Sequence, residues 1–187
     1  MFYCFGRQES TIIKEIVREI RGDLNSSYSY VHKDLVGIKS RVEEMEDLCS
    51  SMGMNDVRFI GIWGMGGVGK TTLAQVLYEK IHSHFDGSSF LANVREKSGN
   101  GGLVTLQKQL FFDILFESNI DILDAQQGTN VIMNRLCCKR VLVILEDVDQ
   151  LIQLEALVGK QSWFGQRIVI IITERMCRPD VFRYSKS

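Results

Sequence analysis

The residues Gly64-Met65-Gly66-Gly67-Val68-Gly69-Lys70-Thr71 match the pattern G-x-x-x-x-G-K-[ST], and each residue type in it has a chemical use. Glycines let the backbone curl so that successive N–H groups point inward as an anion nest. A helix that begins at the end of the loop adds the partial positive charge of its N-terminus. The Lys70 ammonium then reaches the β- and γ-phosphates of a nucleotide, and the Thr71 hydroxyl can ligate Mg²⁺. Thr72 is expected beside the α-phosphate. The competing reading is an ordinary glycine-rich turn. The context favours the phosphate reading, because a strand-like run, residues 57–63, precedes the loop and a helical pattern at Leu73, Val76, Leu77 and Ile81 follows it.

A P-loop works with a carboxylate at the end of another strand, which holds Mg²⁺ through water. The run Arg140-Val141-Leu142-Val143-Ile144-Leu145 ends in Glu146-Asp147 and supplies one. Glu146 is the expected magnesium partner, and Asp147 is placed to orient or deprotonate an attacking water. The alternative is a pair of solvated charges at a strand end. A third apolar run, residues 168–172, ends in Thr173-Glu174-Arg175. Arg175 there could contact the γ-phosphate, or it could be a surface arginine. No N-K-x-D run signals guanine, so adenine is the default base and ADP/ATP with Mg²⁺ the expected ligands.

These groups must be positioned by the elements around them. Ile12, Ile13, Ile16, Val17, Ile20 and Leu24 form one helical stripe, and residues 25–30 read as a polar linker. Ile38, Val42, Met45, Leu48 and Cys49 mark a second amphipathic helix. Further on, apolar runs at 57–63, 89–94, 141–145 and 168–172 alternate with helical patterns at Leu103 to Leu115 and Val131 to Leu136. The last two runs are continuous, as in parallel strands buried on both faces. The expected fold is therefore α/β: a three-layer P-loop NTPase fold with a parallel sheet, preceded by amphipathic helices. Phe111, Phe112 and Phe116 are expected in its core, and His82 and His84 at the close of the P-loop helix.

Composition removes several classes of function. A length of 187 residues suits one domain with an appended segment, and 45% apolar with 24% charged residues is ordinary for a soluble protein. A net charge of −1 without a basic stripe argues against nucleic acid as a partner. The five cysteines form no C-x-x-C pair, and the adjacent Cys137 and Cys138 suit neither a zinc site nor a structural disulfide. Free thiols in a reducing compartment are expected. No signal peptide or 18-residue apolar run is present, so a cytoplasmic protein with no membrane association is expected. No nucleophilic Ser or Cys sits in a recognisable motif.

Taken together, the motifs resemble the NB-ARC domain of plant intracellular immune receptors, in particular the TIR-type nucleotide-binding leucine-rich-repeat class. The blocks that carry the resemblance run through residues 30–184. They are residues 61–74 around the P-loop, Phe90-Leu91-Ala92-Asn93-Val94-Arg95-Glu96, Leu145-Glu146-Asp147-Val148-Asp149, and Trp163-Phe164-Gly165 with Arg167 and Thr173-Glu174-Arg175. Val36-Gly37-Ile38, with Arg41 and Glu43, is similar to the family's segment against adenine and ribose, which makes Val36 a nucleotide contact. Glu146 stands where the family usually has aspartate, and Glu174 where threonine is usual.

The resemblance implies residues 1–30 as the C-terminal helix of a TIR domain plus linker. It implies 31–187 as the nucleotide-binding domain, stopping before its helical and winged-helix parts. It places the Arg175 strand between the P-loop strand and the Asp147 strand. It also implies a slow ATPase switch in defence signalling, off with ADP and on with ATP, whose partners are other receptor domains or further copies of itself. Two rivals stay open: a P-loop small-molecule kinase or ATPase, and a non-hydrolysing interaction fragment.

Overall fold

Two stretches of the chain are so uniformly apolar that they belong inside a sheet, and the structure puts both there. The computed structural model describes residues 37–50, 57–99, 101–117, 120–136, 139–159 and 168–174. The chain divides into two compact units, Met1–Gly37 and Ile38–Ser187. The second holds all the elements below. The helical stripe at 12–24, Val36, Arg175 and the Trp163 block lie outside the described residues.

Among the described residues four strands form one parallel sheet: β1 (Val57–Trp63), β2 (Gly87–Leu91), β3 (Val141–Leu145) and β4 (Ile168–Glu174), in the order β1-β4-β3-β2. The strand leading to Arg175 thus lies between the P-loop strand and the Asp147 strand, as expected. Every residue of the central strands β3 and β4 is buried. The outer strands are not: β1 is mostly half-buried, and β2 alternates between buried and half-buried. Continuous apolar runs therefore mark the middle of the sheet, and patchier ones its sides.

The period-two geometry of β3 and β4 divides the core into two layers. Val141, Val143, Leu145, Ile168, Ile170 and Ile172 face one side. There they meet α4 (Gly102–Leu115), α5 (Ala125–Leu136) and α6 (Leu151–Leu157). Leu142, Ile144, Val169 and Ile171 face the other, against α1 (Ile38–Ser50) and α2 (Lys70–Ile81). The short helix α3 (Val94–Lys97) follows β2. This is the expected three-layer α/β/α arrangement. Helix α1 is pinned on α2 by a Lys80–Glu46 ion pair, and to β1 by Arg58, whose guanidinium donates to the Leu48 carbonyl. The turn His82–His84 closes α2, as expected.

Several expectations are corrected. The run at 89–94 is not all strand: β2 ends at Leu91, and Asn93 turns the chain with φ 55° into α3. Val94 is apolar because it is buried as the first residue of that helix. Leu48, placed on the apolar stripe of α1, is 46% exposed, and it is its carbonyl that matters. Phe111 is core, but Phe112 is 43% exposed on the opposite side of α4. Helix α5 starts six residues before Val131, because its buried face there is Gly128 and Thr129. A Cβ at 128 would stand 2.0 Å from Gln107 Oε1, so only glycine lets α4 and α5 approach so closely.

Candidate nucleotide-phosphate site

Strand β1 ends at Trp63, and the chain loops over residues 64–69 into α2. Gly67 and Gly69 adopt φ of 81° and 84°, left-handed values that a side chain disfavours. Gly69 is the N-cap and offers no side chain to the helix end. The first intrahelical bond runs from Leu73 N–H to Gly69 O at 2.8 Å, so the N–H groups of Lys70, Thr71 and Thr72 have no partner within the helix. A loop of this shape presents donors and positive potential to an anion. Lys70 Nζ donates to the carbonyls of Gly64 (2.7 Å) and Met65 (2.8 Å), which holds the ammonium against the start of the loop. The Met65 and Val68 side chains are exposed.

The acidic pair stands at the end of β3. Thr71 Oγ1 donates to Glu146 Oε1 at 2.6 Å, joining the first turn of α2 to β3 across the intervening β4. Glu146 is nearly buried. Its other oxygen accepts the Asn93 N–H at 2.8 Å. Val94 N–H donates to Glu146 O (2.9 Å) and Arg95 N–H to Asp147 O (3.0 Å). Three successive N–H groups, 93 to 95, thus hold the Glu146-Asp147 segment. The left-handed turn at Asn93 makes this possible, a conformation asparagine tolerates better than most residues.

Asp147 is itself left-handed, with φ 58°. Its N–H donates to Thr173 Oγ1 (3.0 Å) on β4, and Thr173 O accepts Val148 N–H at 3.0 Å. Its carboxylate pairs with Arg95, Nη2 to Oδ2 3.0 Å. Asp149 is fixed by Gln153 of α6. The buried amide accepts from the N–H groups of Asp149 (3.0 Å) and Gln150 (3.1 Å), and donates to Asp149 Oδ1 (2.9 Å) and Ser98 Oγ (2.8 Å).

The structure therefore brings together Lys70, Thr71, Glu146 and Asp147 at the C-terminal ends of parallel strands, where open α/β sheets bind ligands. Val36 and Arg175 lie outside the described residues. Asn93, Arg95, Gln153 and Thr173 escaped the residue-by-residue reading. Thr173, a hydroxyl closing an otherwise apolar run, carried the only usable signal. Among the described residues no group of three or more His, Cys, Asp or Glu side chains gathers to hold a metal, and no helix is long and apolar enough to cross a membrane.

Comparison with known proteins decides the family. The NB-ARC domain model matches residues 39–179. This chain belongs to the NB-ARC family. The NB-ARC match includes the P-loop and the acidic pair, and it makes the chain a nucleotide-binding P-loop module. Its relatives are plant disease resistance proteins. Disease resistance protein RPV1 of Vitis rotundifolia is 42% identical over 170 residues, covering 90% of this chain and 12% of its own length. Disease resistance-like protein DSC1 of Arabidopsis thaliana is 38% identical, covering 89% and 14%. TMV resistance protein N of Nicotiana glutinosa is 36% identical, covering 90% and 15%. The chain thus spans only about an eighth to a seventh of these relatives. Among solved structures, Drosophila ORC bound to GC-rich DNA and Cdc6 aligns with a TM-score of 0.49 at 11% identity, over 98% of this chain and 31% of that one. That likeness is too low to bear on function.

Proposed function

We propose that this chain binds ADP and ATP with its phosphates in the loop Gly64–Thr72, and that slow ATP hydrolysis returns a plant immune receptor from its active to its resting state. The observation that carries this reading is the Thr71–Glu146 hydrogen bond, because it brings the P-loop helix and the acidic strand end to one point. The Thr71 hydroxyl and the Glu146 carboxylate are hard oxygen donors of the kind Mg²⁺ takes, and the hydrogen bond that now joins them would open to admit the ion. Thr71 and Glu146 would hold it, and bound there it would neutralise charge on the β- and γ-phosphates.

The chain's own part is positioning. Gly67 and Gly69 turn the loop N–H groups toward the phosphates, and Lys70 supplies the mobile positive charge. Asp147 orients the attacking water from the end of β3. Val36 and Arg175 are assigned to the base and the γ-phosphate. The kinship with disease resistance proteins supports a cytoplasmic location and a partner that is another receptor domain or a second copy.

Titration calorimetry with ADP and ATP tests the reading. A charge-assisted hydrogen bond contributes about 1.5–3 kcal/mol, so Lys70→Met should weaken ATP binding about ten- to a hundred-fold. Unchanged affinity in a folded variant refutes the assignment. Steady-state hydrolysis separates the rivals: fast turnover with an acceptor marks a kinase, slow turnover without one a switch, and none an interaction fragment.

A further inference from the structure

Glu146 is held through its main chain and its side chain together. Its N–H donates to Leu91 O at 2.9 Å, and its carbonyl accepts from Val94 N–H at 2.9 Å. Its carboxylate has a different partner on each oxygen. Thr71 Oγ1 donates to Oε1 at 2.6 Å, and Asn93 N–H donates to Oε2 at 2.8 Å. With the backbone fixed, only the side-chain torsions set where the carboxylate stands. A glutamate has one torsion more than the aspartate usual at this position in the family, and so more directions to restrain.

The two carboxylate partners are unequal. The Thr71 hydroxyl turns about its own C–O bond and is a candidate magnesium ligand, so its bond to Oε1 is the one that opens for the ion. The Asn93 N–H cannot turn in that way. Asn93 stands in a left-handed turn with φ 55°, and its carbonyl accepts Lys97 N–H at 3.0 Å. The next two N–H groups are also committed, Val94 to Glu146 O at 2.9 Å and Arg95 to Asp147 O at 3.0 Å. The Asn93 side chain is exposed and makes no cap hydrogen bond to α3. Glu146 is nearly buried, so loss of the Asn93 donor would leave a carboxylate oxygen poorly solvated and free to swing.

We propose that Asn93 is a positioning residue for the metal site: its main-chain N–H keeps Oε2 of Glu146, so that Oε1 is the oxygen presented to Mg²⁺ or to a water bound to it. The proposal rests on the reading of Thr71 and Glu146 as the residues that hold the ion. Asn93 has no contact with ion or nucleotide in this scheme and acts through Glu146 alone. Removing a hydrogen bond that orients a ligating carboxylate costs about ten- to a hundred-fold in metal affinity.

Calorimetry of ATP binding by the 187-residue chain, with Mg²⁺ and with chelator, tests this on two backbone esters. An ester in place of the amide between Ala92 and Asn93 removes the donor to Glu146 Oε2 and keeps every side chain. An ester between Asn93 and Val94 removes the donor to Glu146 O, which braces the same segment but not the carboxylate. The first should cut the gain in ATP affinity on adding Mg²⁺ about tenfold and leave the metal-free affinity as it is. The second should leave both unchanged, a split that a merely structural role for the turn does not produce. A full magnesium gain in the first ester overturns the proposal, and so does an equal loss in both. A further measurement needs no altered chain and serves even if an ester does not fold. Exchange of the Asn93 amide hydrogen, followed by NMR, should be no faster with Mg-ADP than with ADP alone, and faster exchange overturns the proposal. Glu146→Gln tells the two failures apart. If it keeps the full magnesium gain, the reading of the metal site has failed and the role of Asn93 falls with it. If it loses the gain while the first ester keeps it, the metal site stands and the role of Asn93 alone is refuted.

Discussion

Gly128→Ala reverses the usual sign of a glycine-to-alanine change in a helix. Inside an exposed helix alanine is better by about 0.8–1.0 kcal/mol. At 128 the new Cβ would lie 2.0 Å from Gln107 Oε1, 2.5 Å from its Cδ and 2.9 Å from its Nε2. On a surface the glutamine would swing aside. Here Gln107 is fully buried, and Nε2 donates to the carbonyls of Ala125 and Ala156 at 2.8 Å and to Thr129 Oγ1 at 3.2 Å. Forcing it out strains the α4–α5 contact, at about 1–3 kcal/mol for overpacking. It also strips donors from buried carbonyls, at about 1–3 kcal/mol. The Thr129 hydroxyl, 2.8 Å from Ala125 O and 3.1 Å from Ala156 O, softens the second loss. After the gain in helix propensity the net destabilisation is about 1.5–4 kcal/mol, or about 5–15 °C in Tm for a chain of this size. Urea unfolding followed by far-ultraviolet circular dichroism measures it. Gln107→Ala makes room, so in that background Gly128→Ala should become neutral or stabilising. A single variant as stable as wild type, or strictly additive effects in the cycle, refutes the argument.

Thr71→Val removes the hydroxyl beside Glu146, and the gain in ATP affinity on adding Mg²⁺ should shrink about tenfold by calorimetry with and without chelator. An unchanged metal dependence places the ion elsewhere. Gln153→Leu strips acceptors from the Asp149 and Gln150 N–H groups and a donor from Asp149 Oδ1 and Ser98, and should lower unfolding stability by about 1–3 kcal/mol. At the opposite end of the sheet, the Arg140 hydrogen bond holds Asp86 below the ordinary aspartate range, with burial opposing it. A carboxylate depressed in the folded state contributes fully at neutral pH, begins to lose that contribution below about pH 4, and has lost it once the pH passes its folded value. Asp86→Asn should therefore lower the urea midpoint slightly near neutrality, slightly because the pair is exposed, and that deficit should disappear below about pH 4, which flattens the acid limb.

The sequence carried the parts of this site whose chemistry needs particular side chains. A lysine and a threonine after a glycine loop, or two acids after five apolar residues, have few uses other than phosphate and metal binding. It also carried the sheet's interior, because a strand buried on both faces has no room for polar residues. What it did not carry was bracing through the main chain. The N–H groups of Asn93, Val94 and Arg95 do the same work whatever side chains they bear, so nothing in residue type announced them. The early part of α5 was hidden for a related reason. Its contact face is a glycine, a threonine and a buried glutamine from α4, and a search for apolar periodicity passes over all three. The run ending in Val94 misled because a buried helical residue and a buried strand residue are equally apolar.

The register Val57↔Ile168 makes β1 wait for a strand about 110 residues further along the chain. At about 5–20 residues per second on a ribosome, that is roughly 6–20 s during which Phe59, Ile60 and Ile62 have emerged but their described neighbour does not yet exist. The glycine loop hangs from the end of that same strand. Nascent chains would then acquire a rigid phosphate-binding loop only after β4 has been made, and a pause in translation before residue 168 would lengthen the interval in which this strand is available to chaperones or to other nascent chains.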